Sequence, residues 1–173
     1  MSKGTATYEV STELEGVTSS QLSDSVWRIL KSNNLCTIAT VTPEKQPYMN
    51  TAFFVPLGEH EVAIWTSPKT KHSTNASADP SAAITIFDST QTFGKPLAGL
   101  QATGTLTAAG VATTIKAFAQ YTKRYASFST FASSVDEMNR AFESRFYIFK
   151  IQWVKVLDEL AFGSEGYVTG KVL

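Results

Sequence analysis

The chain has 173 residues, of which 43% are hydrophobic and 17% are charged, and its formal net charge is zero. This length fits one domain over 1–173, and the composition supplies enough apolar side chains for a core. Proteins that bind nucleic acids or anionic membranes usually carry a basic surplus. The balanced charge therefore predicts neither a nucleic-acid partner nor a membrane partner.

Cys36 is the single cysteine of the sequence. It excludes an intramolecular disulfide and a multi-cysteine metal site, so we predict no metal. Its segment "NLCTIATV" is strand-like, and we expect the thiol to be buried. No apolar run is long enough to span a bilayer, and the first residues lack the hydrophobic core of a signal peptide. These features favour the cytoplasm.

The first predicted elements are an extended arm over residues 1–18 and an amphipathic helix over residues 19–34. Ser20 or Ser23 is a candidate N-cap, and "SNN" ends the helix. Helical spacing places four apolar residues on one face: Leu22, Val26, Ile29 and Leu30.

Five strands are predicted next, in the order "LCTIATV", "YMNTAFFVPL", "VAIWTS", "SAAITIFDS" and "LAGLQATGTLTAA". The second and third form a hairpin over residues 48–67, closed by "GEHE", in which His60 is a turn residue. A short helix is possible in "TKHSTNASA", before the break at Asp79-Pro80. The small residues of "LAGLQATG" permit close approach of a second backbone.

The second half of the chain begins with helical spacing over residues 111–126. Its predicted apolar face consists of Val111, Ile115, Phe118 and Ala119. "SSVDEMNRAFES" predicts a short helix, with a capping box of Ser134 and Glu137. In the last strand, "RFYIFKIQWVKVLDEL", Phe146 and Ile148 face away from Tyr147 and Phe149. Asp158 and Glu165 are expected at the surface, and the glycine-rich tail has no assigned structure.

This order of elements predicts a mainly β fold, a small antiparallel barrel with peripheral helices. Parallel nucleotide-binding sheets need crossover helices between strands, and the short connections here exclude them. The sequence also has no GxGxxG and no GK[ST] phosphate loop.

The turn "TSPKTKHST" follows a strand and combines Lys69, Lys71 and His72 with hydroxyl side chains. Basic side chains, hydroxyls and the free N–H groups at a helix start are the groups that hold a phosphate. The alternative interpretation is a solvated loop, in which His72 faces the solvent. We expect Lys69 to be solvated in either case.

The element order from residue 20 to 110 resembles the pyridoxamine 5'-phosphate oxidase-like proteins, the FMN-binding split barrels. The resemblance rests on a block in which Thr66-Ser67 is followed by Lys71-His72, then by Asp79-Pro80, then by "AAITIF". It implies an antiparallel split β-barrel that binds FMN at the interface of a homodimer.

The resemblance also implies a set of cofactor-binding residues. Lys71 and His72 would lie near the flavin phosphate, and Gln101 would be offered by the second subunit. The strand residues that would lie along the flavin are Asn50, Thr51, Ala52, Trp65, Thr66 and Ser67. For Trp65, as for Trp153, the alternative is a core aromatic residue.

The sequence departs from the oxidase that gives the family its name. That enzyme has an arginine where Asn50 stands, a substrate lysine where Val55 stands and a glutamine where Gly99 stands. Its C-terminal tryptophan and arginine have no match in "FGSEGYVTGKVL". We therefore do not expect a vitamin B6 phosphate as the substrate.

The predicted function is an FMN-dependent oxidoreductase that acts on a small organic substrate. No catalytic residue is assigned, but Tyr121, Arg124 and Tyr125 are candidates on the substrate side, in a segment that could cover the site. One alternative is a deazaflavin-dependent reductase on the same fold. Another is a non-catalytic flavin or haem carrier, for which His60 and His72 are the histidines that could ligate haem.

Overall fold

The computed structural model describes residues 6–131, 137, 143–164 and 166–173. It is an antiparallel β-barrel with peripheral helices, which confirms the predicted fold class. The strands are β1 (Tyr8–Ser11), β2 (Leu35–Val41), β3 (Pro47–Pro56), β4 (Glu61–Thr66), β5 (Ser81–Phe87), β6 (Ala98–Ala108), β7 (Arg145–Asp158) and β8 (Val168–Val172). The described helices are α1 (Ser19–Ser32), α2 (Lys71–Ala78), α3 (Val111–Arg124), α4 (Phe128–Phe131) and α5 (Glu159–Phe162).

Six strands close into a ring in the order β7-β4-β3-β2-β5-β6, with β6 paired back to β7. The remaining strands, β8 and β1, extend the sheet from β7. The predicted hairpin is confirmed as β3 and β4, and "TKHSTNASA" does form a helix, α2. β1 lies within the predicted extended arm and pairs with β8, which forms in the glycine-rich tail.

The strand β7 holds the ring together because it has three partners. Its first part pairs with β4, its second part pairs with β8, and β6 pairs along most of its length. Between Thr103 and Gly104 the register with β7 shifts, so that Gln152 has no opposite residue. A Cβ at Gly104 would lie 1.9 Å from the carbonyl oxygen of Lys150. This glycine therefore permits close approach of a backbone from the same chain.

The helix α1 closes the barrel with the apolar face that its spacing predicts. Its four predicted residues are fully buried, and they pack with the inward side chains of the strands in one aliphatic core, here called the barrel core. Cys36 lies in the same core, as predicted, and burial raises the pKa of its thiol to about 12.

The N-cap of α1 is Thr18, and the prediction of Ser20 or Ser23 is wrong. The Thr18 hydroxyl accepts a hydrogen bond from the Gln21 N–H at 3.3 Å, and the Gln21 side chain accepts one from the Thr18 N–H at 2.8 Å. This reciprocal pair is a capping box. Ser23 is buried instead, and its hydroxyl donates to the buried carboxylate of Glu59.

Asp158 is fully buried at the end of β7, and the prediction that it lies at the surface is wrong. It pairs with Arg28 of α1 and accepts a hydrogen bond from the hydroxyl of Ser25. A buried carboxylate is tolerated when it is paired in this way. Its partners lie about 130 positions earlier in the chain, so the local pattern around residue 158 does not indicate them.

The helix α3 forms where helical spacing predicts it, but its buried face differs from the prediction. Val111 and Ile115 are 81% and 58% exposed, whereas Ala117 and Tyr121 are buried. The helix packs across the outside of the barrel, on side chains of β3, β4 and β7 that point away from the barrel core. Together these side chains form a second group, here called the outer cluster: Val55, Leu57, Ala63, Ala117, Tyr121, Phe128, Phe146 and Ile148.

The alternation predicted for β7 is confirmed by the two clusters. Tyr147 and Phe149 belong to the barrel core, whereas Phe146 and Ile148 belong to the outer cluster. The predicted helix "SSVDEMNRAFES", its capping box and Glu165 lie outside the described residues, except for isolated positions. Among the described helices, none combines the length and apolar character that crossing a membrane requires.

Candidate functional site

A cavity of about 590 Å³ opens where β3 and β4 separate. Their ladder runs from Pro56 opposite Val62 to Phe54 opposite Ile64, and stops there. At the next position the hydroxyl of Tyr121 lies between the strands: it accepts from the Trp65 N–H at 3.2 Å and donates to the Phe53 carbonyl at 2.6 Å. A side chain of α3 thus takes the place of a ladder hydrogen bond at the edge of the cavity.

Six of the nine predicted cofactor-binding residues line this one cavity. They are Asn50, Thr51, Ala52, Trp65, Thr66 and His72. The other lining residues are Phe53, Thr70, Tyr121, Tyr125, Ser127 and Phe128. The structure brings the six together because β3 and β4 are adjacent strands and α2 follows β4 directly.

Three predicted residues do not line the cavity. The Ser67 side chain accepts a hydrogen bond from the Lys69 N–H at 3.2 Å, within the turn after β4. Lys71 is the first residue of α2, between two residues that do line the cavity, and its side chain is exposed. Gln101 lies on the outer surface of the barrel. The cofactor-binding role of all nine residues stays a prediction.

His72 is buried, so the alternative of a solvent-facing loop histidine is wrong. Its Nε2 lies 2.9 Å from the hydroxyl of Thr66 and 3.0 Å from the hydroxyl of Thr70. Desolvation lowers the pKa of the ring below its ordinary value. At neutral pH His72 therefore offers the cavity an uncharged imidazole fixed by two threonines.

The start of α2 adjoins the cavity at Thr70 and His72. Thr70 is the N-cap residue, but its side chain makes no capping hydrogen bond. Its hydroxyl instead donates to the carbonyl of Ser67 at 2.9 Å and lies 2.8 Å from the hydroxyl of Ser73. The first N–H groups of the helix are therefore not occupied by the N-cap side chain, and the helix dipole favours an anion there.

The two lysines of the basic turn have different surroundings. Lys69 is exposed and pairs with Glu143, which agrees with the prediction that it is solvated. Lys71 lies near Glu44 of the turn between β2 and β3. The pKa of Glu44 is lowered chiefly by a hydrogen bond from Thr42, with a smaller contribution from the charge of Lys71.

The helical side of the cavity is aromatic, and we call its five lining rings the aromatic wall. They are Phe53, Trp65, Tyr121, Tyr125 and Phe128. Phe128 meets Trp65 edge to face at 5.1 Å between ring centroids, and it lies 5.2 Å from Tyr121. Phe53 meets Tyr125 edge to face at 5.4 Å. These contacts fix the rings relative to one another.

The two tyrosines of the wall use their hydroxyls to hold the barrel. Tyr125 donates to the Phe54 carbonyl at 2.6 Å, as Tyr121 does to Phe53. Burial raises the pKa of both hydroxyls. They are therefore poor proton donors for a molecule in the cavity.

Arg124, the third candidate on the substrate side, does not line the cavity. Its guanidinium donates to the carbonyls of Lys31 and Asn33 at the end of α1, at 3.1 Å for Lys31. It thereby joins α3 to the C-terminal end of α1, where a cation is favourable. The position of Arg124 identifies it as a structural residue.

Sequence reasoning missed Phe53, Thr70, Ser127 and Phe128 as lining residues. Thr70 lies within the basic turn, so its hydroxyl was the available signal. Ser127 and Phe128 lie in the aromatic segment predicted to cover the site. Nothing local distinguishes Phe128 from the other phenylalanines of that segment.

Gln101 lies in a shallow groove of about 240 Å³ on the outer face of β2, β3, β5, β6 and β7. Small residues occupy the middle of this face, where Ala39 is opposite both Met49 and Ala83. Met49 is 64% exposed. Trp153 also lines the groove and is partly exposed, so the interpretation of Trp153 as a core residue is wrong.

The chain belongs to the pyridoxamine 5'-phosphate oxidase family, whose sequence model matches residues 22–158. Comparison with curated protein sequences gives no significant match. The predicted family is therefore confirmed, and with it the split-barrel architecture.

Three solved structures illustrate the likeness of the fold. A haem-binding protein from Mycobacterium smegmatis has a TM-score of 0.66 at 19% identity, over 86% of this chain. The chain spans only 57% of the length of that protein. The haem storage protein of Vibrio cholerae has a TM-score of 0.61 at 12% identity, covering 85% of this chain and 93% of that protein. An FAD-binding protein from Mesorhizobium loti has a TM-score of 0.59 at 11% identity, covering 94% and 98%.

Proposed function

We propose that the protein binds FMN in the cavity between β3, β4 and α2 and is an oxidoreductase for a small organic substrate. The observation that carries the proposal is the convergence of six predicted flavin-binding residues on one cavity beside the start of α2. Its volume of about 590 Å³ lies within the roughly 300–1,000 Å³ of small-molecule sites. Membership of an oxidase family supports this proposal.

The residues present fit the two ends of FMN. The N–H groups at the start of α2 and the Thr66 hydroxyl suit the phosphate, and we propose that the exposed side chain of Lys71, the first residue of α2, reaches it. From Pro47 to Ala52, β3 pairs with β2 on one side, while its ladder with β4 has already ended. Backbone groups of residues 47–52 that face away from β2 have no partner in the β3–β4 ladder and can therefore bond the polar edge of the flavin ring.

A bound flavin would supply the two-electron chemistry, and the protein would position it. Asn50, Thr51 and Ala52 would orient the ring through the strand backbone. His72 would contribute a neutral imidazole, held by Thr66 and Thr70. The aromatic wall would exclude water from the side of the cavity formed by α3 and α4.

The protein is also proposed to be a homodimer that uses the outer face around Gln101. This face carries Met49 and Trp153 beside small residues, and no described helix covers it. Gln101 does not line the cavity of its own chain, so only a second copy could bring it to a flavin. Sedimentation with FMN at micromolar concentration tests this: a species near twice the 18.8 kDa chain mass is expected, and a lone monomer would contradict it.

The test of the phosphate site compares FMN with riboflavin, which lacks the phosphate. A charge-assisted hydrogen bond contributes roughly 1.5–3 kcal/mol, so Lys71→Ala should weaken FMN binding about ten- to a hundredfold. Riboflavin affinity should change little. Lys69→Ala is the control, because an exposed ion pair is worth about 0–1 kcal/mol. If Lys71→Ala weakened both ligands equally, the lysine would not contact the phosphate.

A carrier of haem or flavin is the second candidate, because two similar structures are named as haem-binding or haem storage proteins. Haem would need an axial ligand, and the Nε2 of His72 could serve only by giving up its contacts with Thr66 and Thr70. A deazaflavin-dependent reductase remains the alternative enzyme. The absorbance spectrum of the purified protein, and the mass of what it releases on denaturation, separate flavin, deazaflavin and haem.

A further inference from the structure

The two sides of the cavity differ in chemistry. Hydroxyl, amide and imidazole groups come from β3, β4 and the start of α2, and they include Thr51, Thr66 and His72. The aromatic wall lies on the side where α3 and α4 pack, and three of its five rings come from residues 121–128. FMN, under the proposed function, uses the first side for its phosphate and its ring edge.

Four of the five side chains in the aromatic wall offer the cavity no free polar group, and the fifth, Trp65, carries one indole N–H. The hydroxyls of Tyr121 and Tyr125 are already bonded to the backbone of β3. Phe53 and Phe128 have no polar atoms in their side chains. The faces and edges of these rings are therefore what a second molecule in the cavity would contact.

The cavity also lacks charge. None of its described lining residues is a lysine, arginine, aspartate or glutamate, and the pKa of His72 is lowered, which keeps the ring neutral. The guanidinium of Arg124 lies 6.0 Å from the ring centroid of Tyr125, but it is bonded to carbonyls at the end of α1 and does not line the cavity. An anionic group placed against the wall would lose hydration and would find no cation among the lining residues to pair with, which is unfavourable.

We propose that the aromatic wall binds a neutral, planar aromatic ring of the substrate and discriminates against anionic substrates. The position of the substrate beside the flavin rests on the proposed function. The preference for neutral rings rests on the wall itself. It separates this chain from enzymes whose substrate is a phosphate ester, because the lining groups that suit a phosphate, at the start of α2 and at Thr66, are those assigned to FMN.

The experiment compares two ligands of similar shape, the neutral naphthamide and the anionic naphthoate, with naphthyl phosphate as a third probe. Each is titrated by calorimetry into flavin-free protein and into protein with FMN. We expect naphthamide to bind about tenfold or more tightly than naphthoate, because the carboxylate must be desolvated. Naphthyl phosphate should bind only to flavin-free protein, and added FMN should displace it.

The variants locate the binding at the wall. Phe128→Leu keeps a buried apolar side chain but removes the ring, and it should weaken naphthamide about two- to tenfold. Phe93→Ala is the matched control, because Phe93 is 100% exposed in the loop between β5 and β6, away from the cavity. Its affinity should equal that of the wild type.

The outcomes separate the two proposals. Failure to bind FMN would overturn the proposed function, while the probes would still test the wall in flavin-free protein. Equal affinity for naphthamide and naphthoate, or tighter binding of naphthoate, would overturn the inference. So would a naphthamide affinity that Phe128→Leu leaves unchanged.

Discussion

The barrel core and the outer cluster share the same strands but differ in composition and in what surrounds them. The barrel core is mainly aliphatic, is closed by α1 and is enclosed by the ring of strands. The outer cluster is smaller and rich in aromatic residues, and it borders the cavity through Tyr121 and Phe128. One side of β7 thus stabilises the fold, while the other supports the candidate site.

The difference shows how a small barrel can separate stability from function. A site inside the ring would remove apolar contacts from the larger of the two clusters that the described residues form. Here the cavity lies outside the ring, and a helix held by two tyrosine hydroxyls forms one side of it. Substitutions at the outer cluster should therefore lower stability less than substitutions in the barrel core do.

Replacing a phenylalanine in each cluster gives the largest expected effects. Phe149→Ala in the barrel core should lower the free energy of unfolding by about 3–5 kcal/mol. Phe128→Ala should cost less, about 2 kcal/mol, because that side chain already borders a cavity. Urea denaturation of both variants measures the difference. An equal or larger loss at Phe128 would show that the outer cluster is not the weaker of the two.

Gly104→Ala tests the closure of the ring between β6 and β7. Its Cβ would meet the Lys150 carbonyl at 1.9 Å, so the strands must move apart, at a cost of about 2–4 kcal/mol. Gly99→Ala on the same strand is the control, since its nearest contact is the Cβ of Phe87 at 3.5 Å. The free energy of unfolding of that variant should lie within about 0.5 kcal/mol of the wild-type value. Urea denaturation measures both variants, and similar midpoints would contradict the close approach of Gly104 to the Lys150 carbonyl.

Tyr121→Phe tests how the outer cluster is attached to the barrel. It keeps the ring but leaves the Phe53 carbonyl and the Trp65 N–H without their bridge, which should cost about 1–3 kcal/mol. Tyr48→Phe, at an exposed position of β3, should change stability by less than about 0.5 kcal/mol. Amide exchange at Trp65 should also accelerate in Tyr121→Phe. Unchanged exchange there would exclude the bridge.

The smallest expected effect is the dependence of stability on the protonation of His72. Desolvation lowers its pKa in the folded state, whereas the unfolded value is about 6.5. The contribution of neutral His72 to the free energy of unfolding is therefore complete above about pH 6.5. It is lost as the pH falls through the lowered pKa of the folded state. Urea denaturation at a series of pH values below 7.5 measures this loss of stability, and His72→Gln should remove it. His60→Gln keeps His72 and should retain the loss; identical pH profiles for the two variants would refute the assignment.

The sequence predicted the barrel well because its signals are local. Alternation within each strand, turn residues between strands and the apolar face of α1 all act over a few positions. The errors occur where a distant partner decides the outcome. Asp158 is buried because Arg28 and Ser25 meet it. Which face of α3 is buried depends on the strands against which the helix packs.

The candidate site was predicted in part for the same reason. Residues 50–52 and 65–66 lie on the two strands of one hairpin, and His72 lies in the first turn of α2, shortly after the second strand. Their proximity therefore follows from local structure. Phe128 reaches the same cavity only through the packing of α3 and α4 on the barrel. Gln101 is separated from the cavity by the curvature of the ring, which the sequence pattern does not specify.

The three partners of β7 have a consequence for the order in which the protein is made. Until residues 145–158 leave the ribosome, β4 lacks one neighbour, β6 lacks one neighbour, and the ring cannot close. Open strand edges are templates for pairing with other chains. Aggregation is therefore the expected fate of a nascent chain that stalls before β7, whereas translation of this one strand closes both edges at once.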